Sequence, residues 1–327
     1  MKASTTIMSG LRAASLFLVA LLSFALHAHA QAVENGAASA PSPARLEELL
    51  KRAPERIKEY LDAFANLTAE EVKTIEIYDR EGRQERLRRI VSDFVVYQSQ
   101  LDGGGMAEYR NVREVDGRSI ADRDKRLLKI FERAPKAGSV TRELERIDRE
   151  GSRYDVGYVF TGMTLNQGTP LHDNLRDAFS FEAAGEETVD GRPLLIVRYE
   201  QVKPHPQIKF NLSLPSKLKP SEPTLRGRLW LDPATAQLWQ EERELVVKFD
   251  AEATPRPFML MEFQYRPGRF PVPLPRVVRI TTYNHLSLDK NKRVALMPGG
   301  RVTFTYGPFT KFDVSVGEEK LAPTRAN

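Results

Sequence analysis

Residues 227–247 read GRLWLDPATAQLWQEERELVV, and this stretch decides the fold. Two strand-forming runs flank the dipeptide Asp232-Pro233, which is typical of a tight turn. The stretch therefore predicts a β-hairpin. Because side chains alternate along a strand, Trp230 and Arg228 are expected on one face of the hairpin and Leu229 on the other.

The hairpin belongs to a long succession of strand-like runs. The run 259–265 alternates apolar with polar residues, as expected for an antiparallel sheet that is covered on one face. Helical periodicity is confined to residues 44–66 and 122–154, and Pro54 is expected to break or kink the first of these helices. We predict an α+β fold, in which a large curled antiparallel sheet (a half-open β-barrel) carries a few N-terminal and capping helices.

The first thirty residues have the pattern of a secretory signal peptide. Lys2 and Arg12 precede an apolar run at 16–26, and Ala28-His29-Ala30 is typical of a cleavage site. The apolar run is shorter than a membrane-spanning helix requires. We therefore expect export to the periplasm, with cleavage after Ala30.

The remaining chain is expected to form one domain. Residues 31–43 are small, polar and contain proline, which predicts a disordered leader. A single half-barrel domain is expected at 44–318, followed by a short tail at 319–327. Within the domain, residues 204–224 hold five prolines between two strong strands. A loop of this length is either a functional arm that binds a partner or a disordered insertion.

The composition excludes several classes of site. The chain has no cysteine, which excludes lipid attachment at a cysteine, a thiol nucleophile and any disulfide framework. The net charge is +5, and the signal segment supplies two of the positive charges through Lys2 and Arg12. A basic excess of this size is compatible with peripheral contact with anionic lipid. Export argues against nucleic acid as a partner.

The sequence motifs assemble neither a catalytic nor a metal site. His172, His205 and His285 are scattered and lack the helical two-histidine spacing of a zinc site, so we expect no metal and no cofactor. Gly103-Gly104-Gly105 joins two strand-like runs without the lysine of a phosphate-binding loop, which favours a hairpin turn. The sequence also lacks a Gly-x-Ser-x-Gly nucleophile elbow. Two carboxylates brought together by the fold remain as a hydrolytic alternative.

Five aromatic residues on the predicted strands are the candidates for a ligand groove. They are Trp230, Trp239, Phe249, Phe263 and Tyr265. Burial in the core is the alternative for each of them. The groove hypothesis depends on the whole sheet, since a meander of about ten strands curls and few helices are available to cover its concave face.

The order of these elements resembles that of a known superfamily. The run VDGRPLLIVRYE at 189–200 precedes GRLWLDPATAQLWQEE at 227–242, in the form Gly-x-x-Trp-x-Asp-x-x-Thr-x-x-Leu. This pattern is similar to the outer-membrane lipoprotein-sorting and lipoprotein-carrier (LolA–LolB-like) superfamily over residues 180–290. The runs at 109–117 and 148–157 are also similar to uncharacterised exported proteins of soil bacteria. The resemblance implies an unclosed barrel, capped by helices, that binds acyl chains or a protein partner, and it carries over no catalytic residue.

We therefore expect a periplasmic, non-enzymatic binding protein that holds an acyl chain or another hydrophobic ligand in its half-barrel cavity. Arginines at the mouth are expected to pair with an anionic headgroup. The alternative is an envelope protein-interaction or sensing scaffold with a filled barrel, which would bind an envelope protein or lipoprotein through the 204–224 arm. A hydrolase with a dispersed carboxylate pair is the third interpretation.

Overall fold

The described part of the chain has eleven separate pieces. The computed structural model describes residues 43–64, 67–98, 106–123, 125, 129, 140–157, 164–166, 168–208, 223–248, 255–287 and 294–311. The predicted signal peptide, most of the predicted leader, the glycine turn, the tail, Phe249 and most of the 204–224 segment lie outside the described residues.

Two helices and twelve strands have assigned bounds among the described residues. They are α1 (Pro43–Phe64), β1 (Leu67–Tyr78), β2 (Gln84–Gln98), β3 (Met106–Val115), β4 (Arg118–Ser119), α2 (Val140–Gly151), β5 (Phe179–Val189), β6 (Arg192–Gln201), β7 (Thr224–Leu231), β8 (Leu238–Val247), β9 (Arg256–Arg266), β10 (Leu274–Ser287), β11 (Val294–Tyr306) and β12 (Thr310–Lys311). Neither helix has the length and apolar character that crossing a membrane would require.

All twelve strands lie in one antiparallel sheet. Its order is β4-β3-β2-β1-β11-β10-β9-β8-β7-β6-β5, with β12 paired with β1. The sheet does not close, because β4 and β5 end it on opposite sides. The prediction of an α+β fold with a half-open antiparallel sheet is confirmed.

Helix α1 covers part of the sheet with one apolar stripe. The stripe repeats at three- and four-residue spacing and consists of Leu49, Leu50, Ala53, Ile57, Tyr60, Ala63 and Phe64, all of them buried. Pro54 does not break the helix, although its missing N–H removes one backbone hydrogen bond. Burial of the stripe outweighs this loss, because most helical stability in proteins comes from packing of the apolar face.

The 227–247 hairpin is confirmed as β7 and β8, and its turn is fixed by Asp232. The Asp232 carboxylate accepts hydrogen bonds from the backbone N–H groups of Ala234 and Thr235 at 2.8 and 2.9 Å, which is the usual role of aspartate in a turn. Arg52 of α1 donates to the carbonyl oxygen of Ala234 at 2.6 Å. The turn is therefore attached to the helix that covers the sheet.

Gly227 is required by the close approach of β7, β8 and a tyrosine of β6. A Cβ atom at this position would clash with the carbonyl oxygen of Glu242 and lie 2.8 Å from the hydroxyl oxygen of Tyr199. We expect Gly227→Ala to lower the free energy of unfolding by about 1–3 kcal/mol, the usual cost of overpacking. Urea denaturation measures this change in the free energy of unfolding. Gly268→Ala is the matched control, since a Cβ there meets nothing within 4 Å, and equal losses for the two variants would contradict the steric argument.

The sheet has one core-bearing face, which we call the inner face. Leu229, Phe263 and Phe304 lie on it with α1 in the main hydrophobic cluster. Strand β3 is also covered on its outer face, where Ala107 and Tyr109 pack against Ile147 of α2. Because both faces of β3 are covered, six consecutive residues of this strand are buried.

Candidate functional site

The predicted ligand-binding aromatics divide between the two faces of the sheet. Phe263 and Tyr265 lie on the inner face and belong to the main core cluster. Trp230 is also buried but does not belong to that cluster, and its Nε1–H donates to the Glu187 carboxylate at 2.7 Å. Trp239 is half-buried at a register shift between β7 and β8. Trp239 and Tyr265 nevertheless line one groove, described below, whereas Trp230 and Phe263 are not among its lining residues.

The inner face beneath Phe263 and Tyr265 is occupied by the protein itself. The Tyr265 ring meets Tyr60 of α1 edge to face, with ring centroids 6.4 Å apart. The hydroxyl of Tyr60 donates to the carbonyl oxygen of Leu165 at 2.8 Å. Leu165 belongs to a segment that we call the strap, defined as residues 164–166 and 168–171. The strap and α1 thus cover the part of the sheet on which these aromatics lie.

A buried ion cluster centred on Arg110 holds one end of the strap. Arg110 donates its Nε–H to both carboxylate oxygens of Glu71, at 2.8 and 3.0 Å, and an Nη2–H to Glu108 at 2.9 Å. Glu108 also accepts from the backbone N–H groups of Thr164 and Leu165 at 2.9 and 2.8 Å. The Thr164 hydroxyl shares a 2.7 Å hydrogen bond with Tyr306. The carboxylate of Glu108, a residue of the sheet, therefore binds the strap backbone directly.

The Arg110 cluster keeps its charges although it is out of water. Burial lowers the pKa of Arg110, but the carboxylates of Glu71 and Glu108 outweigh burial and raise it well above its ordinary value. The guanidinium also lies over the rings of Phe94 and Phe304, 5.3 and 5.1 Å from their centroids, where cation–π attraction favours the charged form. Arg110 is thus permanently cationic.

A second inner-face pair joins Lys73 to the chain that follows α2. The ammonium of Lys73 donates to both carboxylate oxygens of Asp155 at 2.6 and 2.5 Å, and both side chains are almost inaccessible to water, at 4% and 1% exposure. Burial lowers the pKa of Lys73, Arg110 lowers it further, and Asp155 opposes both. The pair fixes residue 155 to strand β1.

A third pair, Glu241 with Arg243, holds the middle of the strap at Asn166 and Gly168. Glu241 accepts from the backbone N–H of Gly168 at 2.6 Å and from the Nε–H of Arg243 at 2.8 Å. Arg243 donates in turn to the carbonyl oxygen of Asn166 at 3.1 Å and lies over the Phe263 ring. Strands β3 and β8, from opposite halves of the sheet, therefore bind the strap in the same manner.

Most of these inner groups are paired with one another, but the hydroxyl groups of Tyr265 and Thr169 are buried without a hydrogen-bond partner among the described residues. Burial raises the pKa values of four tyrosines, which keeps their hydroxyl groups protonated; they are Tyr60, Tyr199, Tyr265 and Tyr306. The carboxylates of Glu71, Glu108 and Glu241 are engaged by arginine or by backbone N–H groups. Within the described residues no group of three or more histidine, aspartate and glutamate side chains is placed to hold a metal ion. The chemistry of this cluster is that of a structural clamp.

The inner ion pairs were not predicted, although the sequence holds a signal for them. Glu71-x-Lys73, Glu108-x-Arg110 and Glu241-x-Arg243 place an acid and a base two residues apart on strands, which puts both on the same face. An acid and a base two residues apart, repeated on three strands among apolar neighbours, indicate charged side chains that are buried.

On the outer face, an open groove of about 470 Å³ lies where the β5–β6 hairpin, β8, β9 and the start of β10 meet. We call it the rim groove. Its wall includes Arg192, Leu194, Trp239, Gln264, Arg266 and Arg276. Gln240 and Gln264 pair across β8 and β9, and their neighbours Glu241 and Phe263 are buried on the inner side. The alternation of the strands therefore places the glutamines on the outer face.

Comparisons with known proteins give similarity in structure alone. No protein-family model and no curated protein matches the chain. Among solved structures, it is similar to an outer membrane lipoprotein-sorting protein domain from Vibrio parahaemolyticus, with 10% identity, 84% of this chain and 95% of the other covered, and a TM-score of 0.34. A DUF1329 family protein from Desulfovibrio piger follows, with 11% identity, 84% and 95% coverage, and a TM-score of 0.33.

A LolA superfamily protein from Nitrosomonas europaea matches with 7% identity, 82% and 94% coverage, and a TM-score of 0.29. The solved structures to which the chain is similar therefore include a lipoprotein-sorting protein domain and a LolA superfamily protein, as the sequence led us to expect. Similarity at this level carries no argument about what the chain binds.

Proposed function

We propose that this chain is a non-enzymatic binding protein of the cell envelope, a scaffold whose half-barrel is filled by its own residues. The observation that supports this function is the strap, which Glu108 and Glu241 hold through the backbone N–H groups of Thr164 and Gly168. The space on the inner face that an acyl chain would use is occupied there. A scaffold of this kind binds an envelope protein or lipoprotein through its surface.

The proposed periplasmic location and the proposed partner-binding arm both come from the sequence. Residues 1–30 have the pattern of a cleaved signal peptide. The proline-rich 204–224 segment interrupts the sheet between β6 and β7, and long interruptions of a compact domain often serve binding. The proposal assigns partner binding to this segment.

An acyl-chain carrier is the second candidate, and one observation favours it. The strap is held by polar contacts to its backbone and by the buried side chains of Leu165 and Leu171, and the sheet beside it bears Phe94, Phe263 and Phe304. Displacement of the strap would expose an apolar surface, and burial of apolar area is what binds an acyl chain. In this candidate function, the strap covers the apolar surface until an acyl chain displaces it.

Lipid extraction separates the two candidates. The full chain, exported and purified without detergent, is extracted with organic solvent, and the lipid released per chain is measured by mass spectrometry. We expect far less than one lipid per chain for the filled scaffold. Deletion of residues 204–224 should leave the midpoint of thermal unfolding unchanged and abolish cross-linking to the envelope partner. Stoichiometric lipid would overturn the filled scaffold and establish the carrier.

A variant that loosens the strap sharpens the measurement. Glu241→Gln weakens the contact with Gly168 and breaks the ion pair with Arg243, whereas Glu242→Gln removes an outer-face pair with Arg228 and serves as the matched control. The carrier predicts more extracted lipid in Glu241→Gln than in the control. The scaffold predicts no difference between the two.

A further inference from the structure

The rim groove differs from the rest of the outer face in the pairing of its arginines. Elsewhere on that face, cross-strand arginine–glutamate pairs are formed; four examples, at 2.5 to 3.3 Å, are Arg198–Glu182, Arg226–Glu244, Arg228–Glu242 and Arg279–Glu262. In the groove, Arg192 and Arg276 form no ion pair with any carboxylate of the described residues. An arginine without a carboxylate is free to bind an external anion.

The charge in the groove is strongly one-sided. Arg192, Arg266 and Arg276 line it together with a single acid, Asp190. Arg266 donates one N–H to a neutral acceptor, the carbonyl oxygen of Tyr306, at 3.0 Å. The formal excess of about two positive charges matches a phosphate monoester, which carries about −1.5 to −2 at neutral pH.

Trp239 supplies an apolar wall that is already ordered. The guanidinium of Arg192 lies over its ring at 3.9 Å from the centroid, an arrangement that leaves the in-plane N–H donors of the arginine available. The indole Nε1–H of Trp239 is buried and has no hydrogen-bond partner among the described residues. Leu194, buried yet outside the main core cluster, extends the apolar surface.

We propose that the rim groove binds a small amphiphile through its phosphate group, with Arg192 and Arg276 on the phosphate oxygens and the apolar body against Trp239 and Leu194. A volume of about 470 Å³ is within the range of small-molecule sites. The glutamines of the groove lie on the outer face, whereas the strap lies on the inner face. Tyr265, an inner-face residue in contact with Tyr60 of α1, also lines the groove.

Tryptophan fluorescence tests the proposal directly, because the chain has only two tryptophans. Trp230→Phe leaves Trp239 as the single reporter within the groove. Titration of the full chain with hexyl phosphate should give a saturable change in emission. Arg192→Gln and Arg276→Gln should each weaken binding about tenfold, and Arg279→Gln, an outer-face arginine paired with Glu262, should leave it unchanged.

The probes separate the parts of the proposal and the source of the phosphate. Inorganic phosphate and hexanol should each bind more weakly than hexyl phosphate, and equal binding of either would overturn the amphiphile assignment. Binding to phosphatidic acid vesicles but not to phosphatidylcholine vesicles identifies a lipid source, whereas binding to hexyl phosphate alone identifies a soluble phosphate ester.

If Trp230→Phe does not fold, calorimetry on the unmodified chain replaces fluorescence. Unchanged affinity in Arg192→Gln and Arg276→Gln would overturn the site.

Discussion

Replacing Arg110 with leucine is expected to lower the free energy of unfolding by about 3–5 kcal/mol, because removing one partner of a buried ion pair leaves uncompensated charge. Here two carboxylates are left, those of Glu71 and Glu108, which are 0% and 3% exposed. The strap is expected to loosen as well, since Glu108 holds Thr164 and Leu165. Urea denaturation followed by circular dichroism gives the free energy.

Arg113→Leu is the matched control for Arg110→Leu. Arg113 lies on the same strand and pairs with Glu70 and Asp93, but all three side chains are well exposed to water. Exposed pairs contribute about 0–1 kcal/mol. If Arg110→Leu costs no more than Arg113→Leu, the inner cluster does not support the fold as described.

Asp155→Asn is expected to cost about 3–5 kcal/mol at neutral pH, since it leaves the Lys73 ammonium buried without its counter-charge. The loss should depend on pH in a defined direction. Burial lowers the pKa of Lys73 below its ordinary 10.5, and the loss of Asp155 lowers that pKa further. The variant is therefore least stable where Lys73 must be protonated, and its deficit should shrink as the pH rises toward 10.5.

The measurement for Asp155→Asn is denaturation at several pH values between 7 and about 10. The buried tyrosines do not titrate over this range, because burial raises their pKa values. Asp177→Asn, which breaks the exposed pair with Lys203, is the control and should leave the free energy of unfolding nearly unchanged, because exposed ion pairs contribute little. A deficit that stays constant with pH would contradict the role assigned to the Lys73 ammonium.

The fold could be predicted from the sequence because its signals are local. The alternation at 259–265 follows from the two-residue period of a strand, and the Asp232-Pro233 turn follows from side-chain hydrogen bonds to nearby backbone. The continuity of α1 through Pro54 could not be predicted in this way, because it depends on tertiary packing of the stripe.

The interior could not be predicted because its contacts join distant residues. Glu71 binds Arg110, and Glu241 binds the backbone N–H of Gly168. The residues next to Glu71 and Glu241 in the sequence do not indicate these partners. The assignment of the tryptophans to the concave face has the same difficulty, since the shift in register beside Trp239 changes which side chains share a face. The proposed ligand residues Phe263 and Tyr265 lie on the inner face with α1, and Trp239 lines the rim groove.

The sheet order has a consequence for the time course of folding. Strand β1 sits between β2 and β11, so that Glu71 is paired with Tyr306 at the other end of the described chain. Strands β1 to β4 are joined to the long C-terminal meander mainly through this pairing. Contacts between residues so far apart close large loops, and chains rich in them fold slowly. The two halves of the sheet are therefore joined only once β11 has paired with both β1 and β10.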